Sequence, residues 1–240
     1  MSVRTWQVVI ADLRGSRGIA AGQRARVDRA LRAASRALVR RYSEHVRSGP
    51  QILKGDELQV VLRADAPALT ILTYLRARFA VEVAAGFDIR AGLGAGAIDR
   101  LSSSGPFASD GEAFHRARAA VEATRSLGAS RRTAWRSGRA DFDEVSEVLL
   151  ALLDAVWVRW TPPQWEAVAG RLEDLGLKDI ARKSGIRFQN VSKRLLAASW
   201  NESHDAIRWL ERSATAAPAA PAARTVHPPK GESTISPRRG

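Results

Sequence analysis

Apolar runs in the first 140 residues predict the strands of a sheet. Residues 6–12 form an apolar run that ends in Asp12. Such a run is typical of a buried central strand, with the acid at its C-terminal end, where open sheets of α/β proteins place their ligands. Further strands are expected over residues 87–97 and 131–136, so the front of the chain is predicted to be rich in sheet.

A β-hairpin is predicted over residues 51–62. Two apolar runs flank the pair Gly55-Asp56 in this stretch, and a glycine beside an aspartate between apolar runs favours a tight hairpin turn. Asp56 and Glu57 are therefore expected at the tip of the hairpin. An ordinary hairpin turn would explain this stretch if it stood alone.

Three helices are predicted in the same part of the chain, over residues 20–47, 66–85 and about 111–126. In each of them apolar residues recur at the spacing of one helix face. The expected buried faces are Val27, Leu31, Ala34, Leu38 and Tyr42 in the first, Leu69, Leu72, Leu75, Phe79 and Val83 in the second, and Phe114, Ala117, Val121 and Thr124 in the third.

Alternate glycines occupy the predicted strand at residues 87–97, namely Gly92, Gly94 and Gly96. A dinucleotide-binding fingerprint would follow the first strand and open a helix, whereas these glycines lie inside a strand in the middle of the chain. Glycine within a strand is typical of a place where another backbone or a ligand approaches closely. We therefore expect a helix or a ligand to pack directly on this strand.

Composition and charge restrict the class of protein. The 240 residues are 45% hydrophobic, contain no cysteine and carry a formal net charge of +13. The absence of cysteine excludes disulfides and thiolate metal sites and fits a reducing compartment. The sequence has neither signal-peptide features nor an apolar run of about 20 residues, so a cytoplasmic protein with no membrane partner is expected. The positive charge favours a polyanionic partner such as nucleic acid or nucleotides.

Carboxylates on two neighbouring predicted strands indicate a metal site. Asp12 ends the first strand and Asp56 lies in the hairpin turn, and Mg²⁺ is often held by one or two carboxylates and completed by substrate phosphates. The segment after Asp12 offers glycines, a hydroxyl and guanidinium groups, which suit a phosphate. The candidate metal ligands for Mg²⁺ or Mn²⁺ are Asp12, Asp56 and Glu57, and the candidate phosphate- or nucleotide-binding residues are Arg14, Gly15, Ser16, Arg17, Lys54 and Gly55.

These segments also resemble known families. The stretches 10–16, 54–58 and 89–98 have the order and spacing seen in class III nucleotide cyclases and GGDEF-type cyclases. The front half followed by a helix-turn-helix resembles the SatD family of bacterial proteins over most of residues 5–200. Residues 109–122 strengthen this resemblance.

The resemblance implies an α/β (α+β) fold with a ferredoxin-like or cyclase-like antiparallel sheet and helices, followed by an all-α helix-turn-helix module. It also implies that Asp12 and Asp56 together bind metal. In active class III cyclases the helix matching residues 111–126 carries a catalytic Asn and Arg, but His115 and Ala119 stand at these positions here. We therefore expect no cyclase activity.

A long helix is predicted over residues 141–157, between the front half and a C-terminal module. Its expected buried face is Val145, Val148, Leu149, Leu152, Leu153 and Val156. Trp157, Trp160 and Trp165 follow around two prolines, and hydrophobic packing between the two parts explains them better than stacking on bases.

The C-terminal module predicts a helix-turn-helix. Thr161, Pro162 and Gln164 form a helix start with a capping box, and this helix is expected to run to about residue 175. Shorter helices follow at 178–184 and 188–199, with a Gly185-Ile186 turn between them, and a last helix at 201–212. The candidate DNA-binding residues are Lys178, Arg182, Lys183, Gln189, Asn190, Ser192, Lys193 and Arg194, which combine base-reading amides with cations for guanine or phosphate.

The expected organisation is a cyclase-like nucleotide- and metal-binding domain at 1–140, a linker helix and DNA-binding module at 141–213, and a disordered tail at 214–240. Three functions remain open. The first is a transcriptional or stress-response regulator, in the form of a homodimer that couples a nucleotide or phosphate ligand to DNA. The second is a metal-dependent nucleotidyl-transfer enzyme that uses Asp12 and Asp56. The third is a DNA-binding protein whose front domain serves only as a dimerisation scaffold.

Overall fold

The computed structural model describes residues 5–15, 19, 21–53, 56–83, 87–128 and 130–215. Within these residues five strands form one sheet in the order β2-β3-β1-β4-β5. The strands are β1 (Trp6–Leu13), β2 (Val46–Leu53), β3 (Glu57–Leu62), β4 (Ile89–Gly96) and β5 (Thr133–Arg136). The helices are α1 (Ala21–Tyr42), α2 (Ala68–Glu82), α3 (Glu112–Ser126), α4 (Ala140–Trp157), α5 (Pro162–Leu172), α6 (Leu177–Ser184), α7 (Phe188–Ala197) and α8 (Trp200–Thr215).

Strand β1 is the centre of the sheet, as the sequence predicted. It pairs antiparallel with β3 on one side and with β4 on the other. Side chains alternate between the two faces of a strand, and both faces of β1 are covered. Val9, Ala11 and Leu13 belong to the large hydrophobic cluster on one face, whereas Val8 and Ile10 belong to a smaller cluster on the other. Burial on both faces explains why the run is continuously apolar.

The mixed α/β class is confirmed, but the expectation of a wholly antiparallel sheet is wrong. Strand β5 runs parallel to β4, while the other described pairings are antiparallel. The chain leaves β4, passes through α3 and returns to the same sheet as β5, and a helical crossover of this kind joins parallel strands. The predicted hairpin is confirmed, with Leu53 opposite Glu57, but of its two acids only Asp56 lies in the turn, because Glu57 is already the first residue of β3.

Helix α3 lies closely on β4 because of the alternate glycines. A Cβ atom added at Gly92 would stand 2.5 Å from the backbone nitrogen of Val121, and one added at Gly94 would stand 2.9 Å from Cα of Ala117. Both distances are far below ordinary van der Waals contact, so only glycine permits this approach. The prediction that a helix packs directly on this strand is therefore confirmed.

The predicted helices are confirmed over their central residues, but some of their ends differ from the prediction. Helix α1 ends at Tyr42 rather than near residue 47, because Val46 already belongs to β2. Helix α5 ends at Leu172 rather than near residue 175, and Asp174 just beyond it has a φ of 60°. The predicted buried faces of α1, α2 and α3 are all buried.

The predicted buried face of α4 is wrong for three of its six members. Val148 and Leu152 are 59% and 61% exposed, and Val145 is exposed as well, whereas Phe142, Ser146 and Leu150 are buried. The observed face is rotated from the predicted one by about one residue, or roughly 100°. Phe142 packs edge-to-face on Trp135 of β5, with ring centroids 5.2 Å apart. Packing against β5 therefore fixes the orientation of the helix, and a second apolar stripe is left in solvent.

Helices α5 to α8 pack on the front half without a gap in the core. One cluster of buried residues runs from α1 and α2 through the end of α4 into α5, α7 and α8. Polar contacts add to it, since the Tyr74 hydroxyl donates to Glu173 over 2.9 Å and the Thr70 N–H donates to Glu211 over 2.7 Å. Trp157, Trp160 and Trp165 are buried at this junction, which confirms the packing interpretation.

The capping box predicted for α5 is present, since the backbone N–H of Thr161 donates to the side chain of Gln164 over 2.7 Å. None of the described helices is both long enough and apolar enough to cross a bilayer. Residues 216–240 of the predicted tail lie outside the described residues, and α8 extends to Thr215.

Candidate metal and phosphate site

Three charged side chains meet on the α3 face of the sheet at the end of β1. Asp12 is paired in register with Glu57 on β3 and with Arg90 on β4. Cross-strand partners share a face of the sheet. Asp12 also has the same parity along β1 as Val8 and Ile10, which pack beneath α3. The alternation of the strands therefore groups these three residues under α3.

Asp56 lies beside Asp12, as predicted from the hairpin. The backbone N–H of Leu13 donates to the carbonyl oxygen of Asp56 over 2.9 Å. This bond ties the hairpin turn to the end of β1, and Asp56 itself is half-buried. The expected adjacency of the two aspartates is therefore confirmed.

Arg118 on α3 neutralises Glu57. Its Nη1 and Nη2 donate to the two carboxylate oxygens over 2.9 and 2.6 Å, and Gln59 adds a third bond over 2.9 Å. The bond from the Arg118 guanidinium, supported by the bond from Gln59, holds the pKa of Glu57 below its ordinary value despite partial burial. Both oxygens of Glu57 are thus already engaged.

Arg125, two turns further along α3, forms an ion pair with Oδ2 of Asp12. Oδ1 of Asp12 is buried and has no hydrogen-bond partner among the residues that the structure describes. Buried carboxylate oxygens nearly always have partners. One oxygen of this carboxylate therefore remains without a partner among the described residues, and a further group can bind it there.

Arg90 contributes a half-buried positive charge to the same place. Burial lowers the pKa of its guanidinium, while the neighbouring Asp12 carboxylate opposes that shift. Its Nε is also buried without a partner in the described part of the chain. An unsatisfied donor thus accompanies the unsatisfied acceptor of Asp12.

A cavity of about 470 Å³ opens over these groups. Its described lining is Asp12, Leu13, Arg14, Gly15, Asp56, Glu57, Arg90 and Arg125. Three carboxylates and three guanidinium groups face one space, an arrangement suited to a ligand with both negative charge and a bound cation.

Four predicted phosphate-binding residues, namely Ser16, Arg17, Lys54 and Gly55, lie outside the described residues. Arg14 and Gly15 line the cavity as expected. No group of three or more His, Cys, Asp or Glu side chains among the described residues is arranged to hold a metal. The residues nevertheless fit an ion of the Mg²⁺ type, which requires only one or two carboxylates when phosphates and water complete its shell.

His115 and Ala119 lie elsewhere on α3. The His115 side chain is exposed and stands 3.2 Å from the carboxylate of Asp110. Neither residue lines the cavity over Asp12.

The candidate DNA-binding residues lie mainly on the surface of α6 and α7. Seven of the eight are exposed, and only Arg194 is half-buried. Arg194 donates to Glu166 of α5 over 2.9 Å, and Lys183 donates to Glu173 over 2.8 Å. Gly185 joins the helices with a φ of 65°, a left-handed conformation that favours glycine. The amide side chains of Gln189 and Asn190 are exposed together at the start of α7.

Sequence reasoning missed Arg90, Arg118 and Arg125. A faint signal existed, because Arg118 and Arg125 are seven residues apart and so lie on the same side of α3. Arg90 precedes Gly92 by two residues and therefore faces α3 as the glycine does. Neither signal identifies the partner carboxylates without the strand register.

The comparison with protein families supports the family resemblance seen in the sequence. The model of the SatD family matches residues 6–202, which include the sheet, the carboxylate–arginine site and helices α1 to α7. Among curated proteins nothing matches significantly.

Proposed function

This chain belongs to the SatD family, and from its site we propose that it is a regulator with two binding functions. The front half binds a phosphate-bearing ligand, of nucleotide type, together with Mg²⁺ or Mn²⁺. Helices α6 and α7 bind DNA as a helix-turn-helix. The succession β1–α1–β2–β3–α2–β4 has the order of a ferredoxin-like unit, which supports a cyclase-like interpretation of the front half.

The unpartnered Oδ1 of Asp12 is the observation that carries the ligand proposal. A buried carboxylate oxygen without a partner costs free energy, and a cation removes that cost. Asp12 and Asp56 would hold the ion, which supplies a positive charge to bind and polarise phosphate oxygens. Glu57 was predicted as a third ligand, but both its oxygens accept from Arg118. We therefore propose that Glu57 holds α3 over the site through Arg118.

The guanidinium groups around the cavity provide the phosphate contacts in this proposal. Arg14, Arg90 and Arg125 line it, and planar guanidinium groups match phosphate oxygens in pairs. Arg125 is shared, because it also pairs with Asp12. Arg125 would be free to turn toward the phosphate if a metal took its place at Asp12, so metal and ligand should bind cooperatively.

Isothermal titration of ATP, GTP and their cyclic products, with and without Mg²⁺, tests the proposal. The double variant Asp12→Asn plus Asp56→Asn should abolish the metal-dependent part of binding. Asp65→Asn is the matched control, because it removes an exposed carboxylate outside the cavity. Equal metal-dependent binding by wild type and the double variant would refute the placement of the site.

The DNA proposal depends on the exposed polar start of α7. An Asn amide can contact an adenine edge with two hydrogen bonds, so Asn190→Ala should cost about 1–3 kcal/mol at one base position. Lys183→Ala should instead weaken binding to every sequence and reduce the salt slope by about one. Arg194 is ion-paired with Glu166, so we expect it to contribute less to base contacts than the other candidate residues do.

Selection from a random DNA pool at physiological salt, with the full-length protein, tests this second function. A paired motif with half-sites about one helical turn apart is the expected result for a dimer. Arg32→Ala removes one exposed positive charge on α1, outside the module, and controls for charge alone. Binding without sequence preference that Asn190→Ala leaves unchanged would contradict a helix-turn-helix function.

A further inference from the structure

A second cavity, of about 250 Å³, lies between α2, the end of α4 and the start of α5. Its wall is largely aromatic and includes Phe79, Phe87, Trp157, Trp160 and Trp165. It is smaller than the usual range of about 300–1,000 Å³ for drug-sized ligands. A ligand of one or two fused rings is therefore the size that it suits.

Two buried donors beside this cavity have no acceptor in the described part of the chain. Arg76 is 3% exposed, and its Nη atoms donate to Thr133, to the carbonyl of Ile89 and to that of Arg132 at 2.7 to 3.0 Å. Its Nε has no partner. Trp157 is also 3% exposed, and its Nε1 has none either.

Trp160 in the same wall differs from Trp157, because its indole N–H has a partner. Its indole N–H donates to the carbonyl of Ala198 over 2.8 Å. Buried indole N–H groups usually find partners in this way, and leaving one unmade costs free energy. The two unsatisfied donors at Arg76 and Trp157 therefore indicate a ligand that brings hydrogen-bond acceptors into an aromatic cavity.

The buried acid of this region does not supply those acceptors. Asp154 accepts from the backbone N–H groups of Arg132 and Thr133 and from the Thr133 hydroxyl, at 2.7 to 2.8 Å. Its charge is compensated by Arg76, at 3.7 Å. Because its oxygens are already engaged inside the protein, Asp154 offers no counter-charge to a cationic ligand.

Arg14 connects this cavity with the carboxylate–arginine site, since it lines both. Its backbone N–H donates to the carbonyl of Asp88 over 2.9 Å, which continues the pairing of β1 with β4 between the two spaces. A molecule with a flat ring at one end and phosphate at the other could occupy both.

We propose that the aromatic cavity binds the base of a nucleoside or nucleotide, through stacking on indole rings and acceptor contacts to Trp157 and Arg76. The phosphate end then reaches Arg14 and the Asp12 site, and this half of the proposal rests on the function proposed above. The binding of the base does not depend on that function. Nucleosides, which have no phosphate, therefore test the cavity by itself.

Isothermal titration with adenosine, guanosine, cytidine and uridine, in the absence of Mg²⁺, is the first measurement. We expect at least one nucleoside to bind. Ala80→Leu places a larger side chain in the wall of the cavity and should abolish this binding. Trp157→Phe keeps an aromatic ring but removes the N–H, and should weaken binding about five- to tenfold, the effect of one lost hydrogen bond. Trp209→Phe, at a half-exposed indole elsewhere, should change nothing.

The outcomes separate the two sites. Nucleoside binding that persists in Asp12→Asn plus Asp56→Asn but is lost in Ala80→Leu supports the cavity. If no nucleoside binds, or if Ala80→Leu binds as well as wild type, the cavity proposal is wrong even when triphosphates bind with Mg²⁺. Conversely, nucleoside binding without any gain from phosphate and Mg²⁺ would keep the cavity and refute the metal-site proposal.

The exposed apolar stripe of α4 supports an independent inference about assembly. Val145, Val148 and Leu152 follow one another at helical spacing and are 42% to 61% exposed. Exposed apolar patches of this kind mark interaction surfaces.

Charge selects a second copy of this chain as the partner. The first half of α4 carries Asp141 and Glu144 on its exposed side, while exposed Arg159 follows the C-terminal end. Two antiparallel copies bring Glu144 of each beside Arg159 of the other, whereas parallel copies would bring the acidic ends together. The same antiparallel register sets Val148 opposite Ala155, a large residue facing a small one. We infer that α4 pairs with α4 of a second copy in a two-fold dimer.

Light scattering coupled to size exclusion, over a range of protein concentration, measures the assembly. Wild type should be a dimer and Val148→Glu a monomer. Leu196→Glu, at a 79% exposed residue of α7, should remain a dimer. Glu144→Arg should weaken the dimer, and the further change Arg159→Glu should restore it. A monomeric wild type, or a dimer that Val148→Glu leaves intact, would refute this interface.

Discussion

Replacement of Gly92 by alanine should displace α3 and with it the arginines of the site. The added Cβ would stand 2.5 Å from the backbone nitrogen of Val121. Ordinary contact begins at about 3.4 Å, so the helix backbone has to retreat by at least about 0.9 Å, the difference between the two distances, and the carbonyl oxygen of Ala117 lies closer still. No side-chain rotation can relieve the clash, because the backbone fixes the position of the Cβ atom and the nitrogen of Val121 is itself a backbone atom.

The expected cost is about 3 kcal/mol of unfolding free energy, the upper end of the range for overpacking a core by one methyl group. That is a large share of the 5–15 kcal/mol that stabilises a typical domain. Two other glycines provide controls. A Cβ at Gly96 meets the flexible end of the Glu112 side chain, and one at Gly22 meets nothing within 4 Å. Gly96→Ala should therefore cost much less, and Gly22→Ala should be neutral or stabilise by up to about 1 kcal/mol.

Urea unfolding measures the free energies, and an NMR titration of the Glu57 carboxyl measures the effect on the site. Because Arg118 holds the pKa of Glu57 below its ordinary value, a retreating α3 should let that pKa rise. Gly92→Ala with wild-type stability, or with an unchanged pKa of Glu57, would refute the close packing of α3 as the source of the geometry.

Three further predictions follow from single contacts. Arg118→Gln should destabilise the fold by about 1 kcal/mol at pH 7, the upper end for a half-exposed pair. Because the folded pKa of Glu57 is lowered, the difference in stability between wild type and Arg118→Gln should be lost as pH falls through that pKa. Urea unfolding of both proteins at pH 7 and pH 3 measures this difference, and a difference that stays constant would contradict the reasoning. Gly185→Ala should cost about 1 kcal/mol and Gly185→Asn less, since φ is 65° with free space around the Cβ position; equal melting temperatures would count against a strained turn. With His115 and Ala119 in place of the cyclase pair, incubation with ATP or GTP and Mn²⁺ should yield no cyclic nucleotide, and product above a metal-free control would favour the enzyme alternative.

The sequence predicted the carboxylates of the candidate site, but it did not predict the arginines that pair with them. Asp12 and Asp56 could be placed at a strand end and in a hairpin turn because these are local features, and the resemblance to cyclases implied that the two lie together. The arginines that compensate them could not, since Arg118 lies on a helix some 60 residues after Glu57 and meets it only through the sheet register. A charge on a helix surface has the same sequence signature whether it faces solvent or a carboxylate.

The sequence by itself determined the central position of β1, the hairpin, the helical cores and the use of glycines for close packing. These rest on periodicity and on the steric properties of single residue types, which act over a few neighbours. Only the tertiary structure decided which of two apolar faces α4 buries, that β5 runs parallel to β4, and that Arg194 pairs with Glu166. Those outcomes depend on which distant element supplies the partner surface, and α4 is apolar on both sides. Its orientation was therefore fixed by Trp135 of β5 rather than by its own pattern.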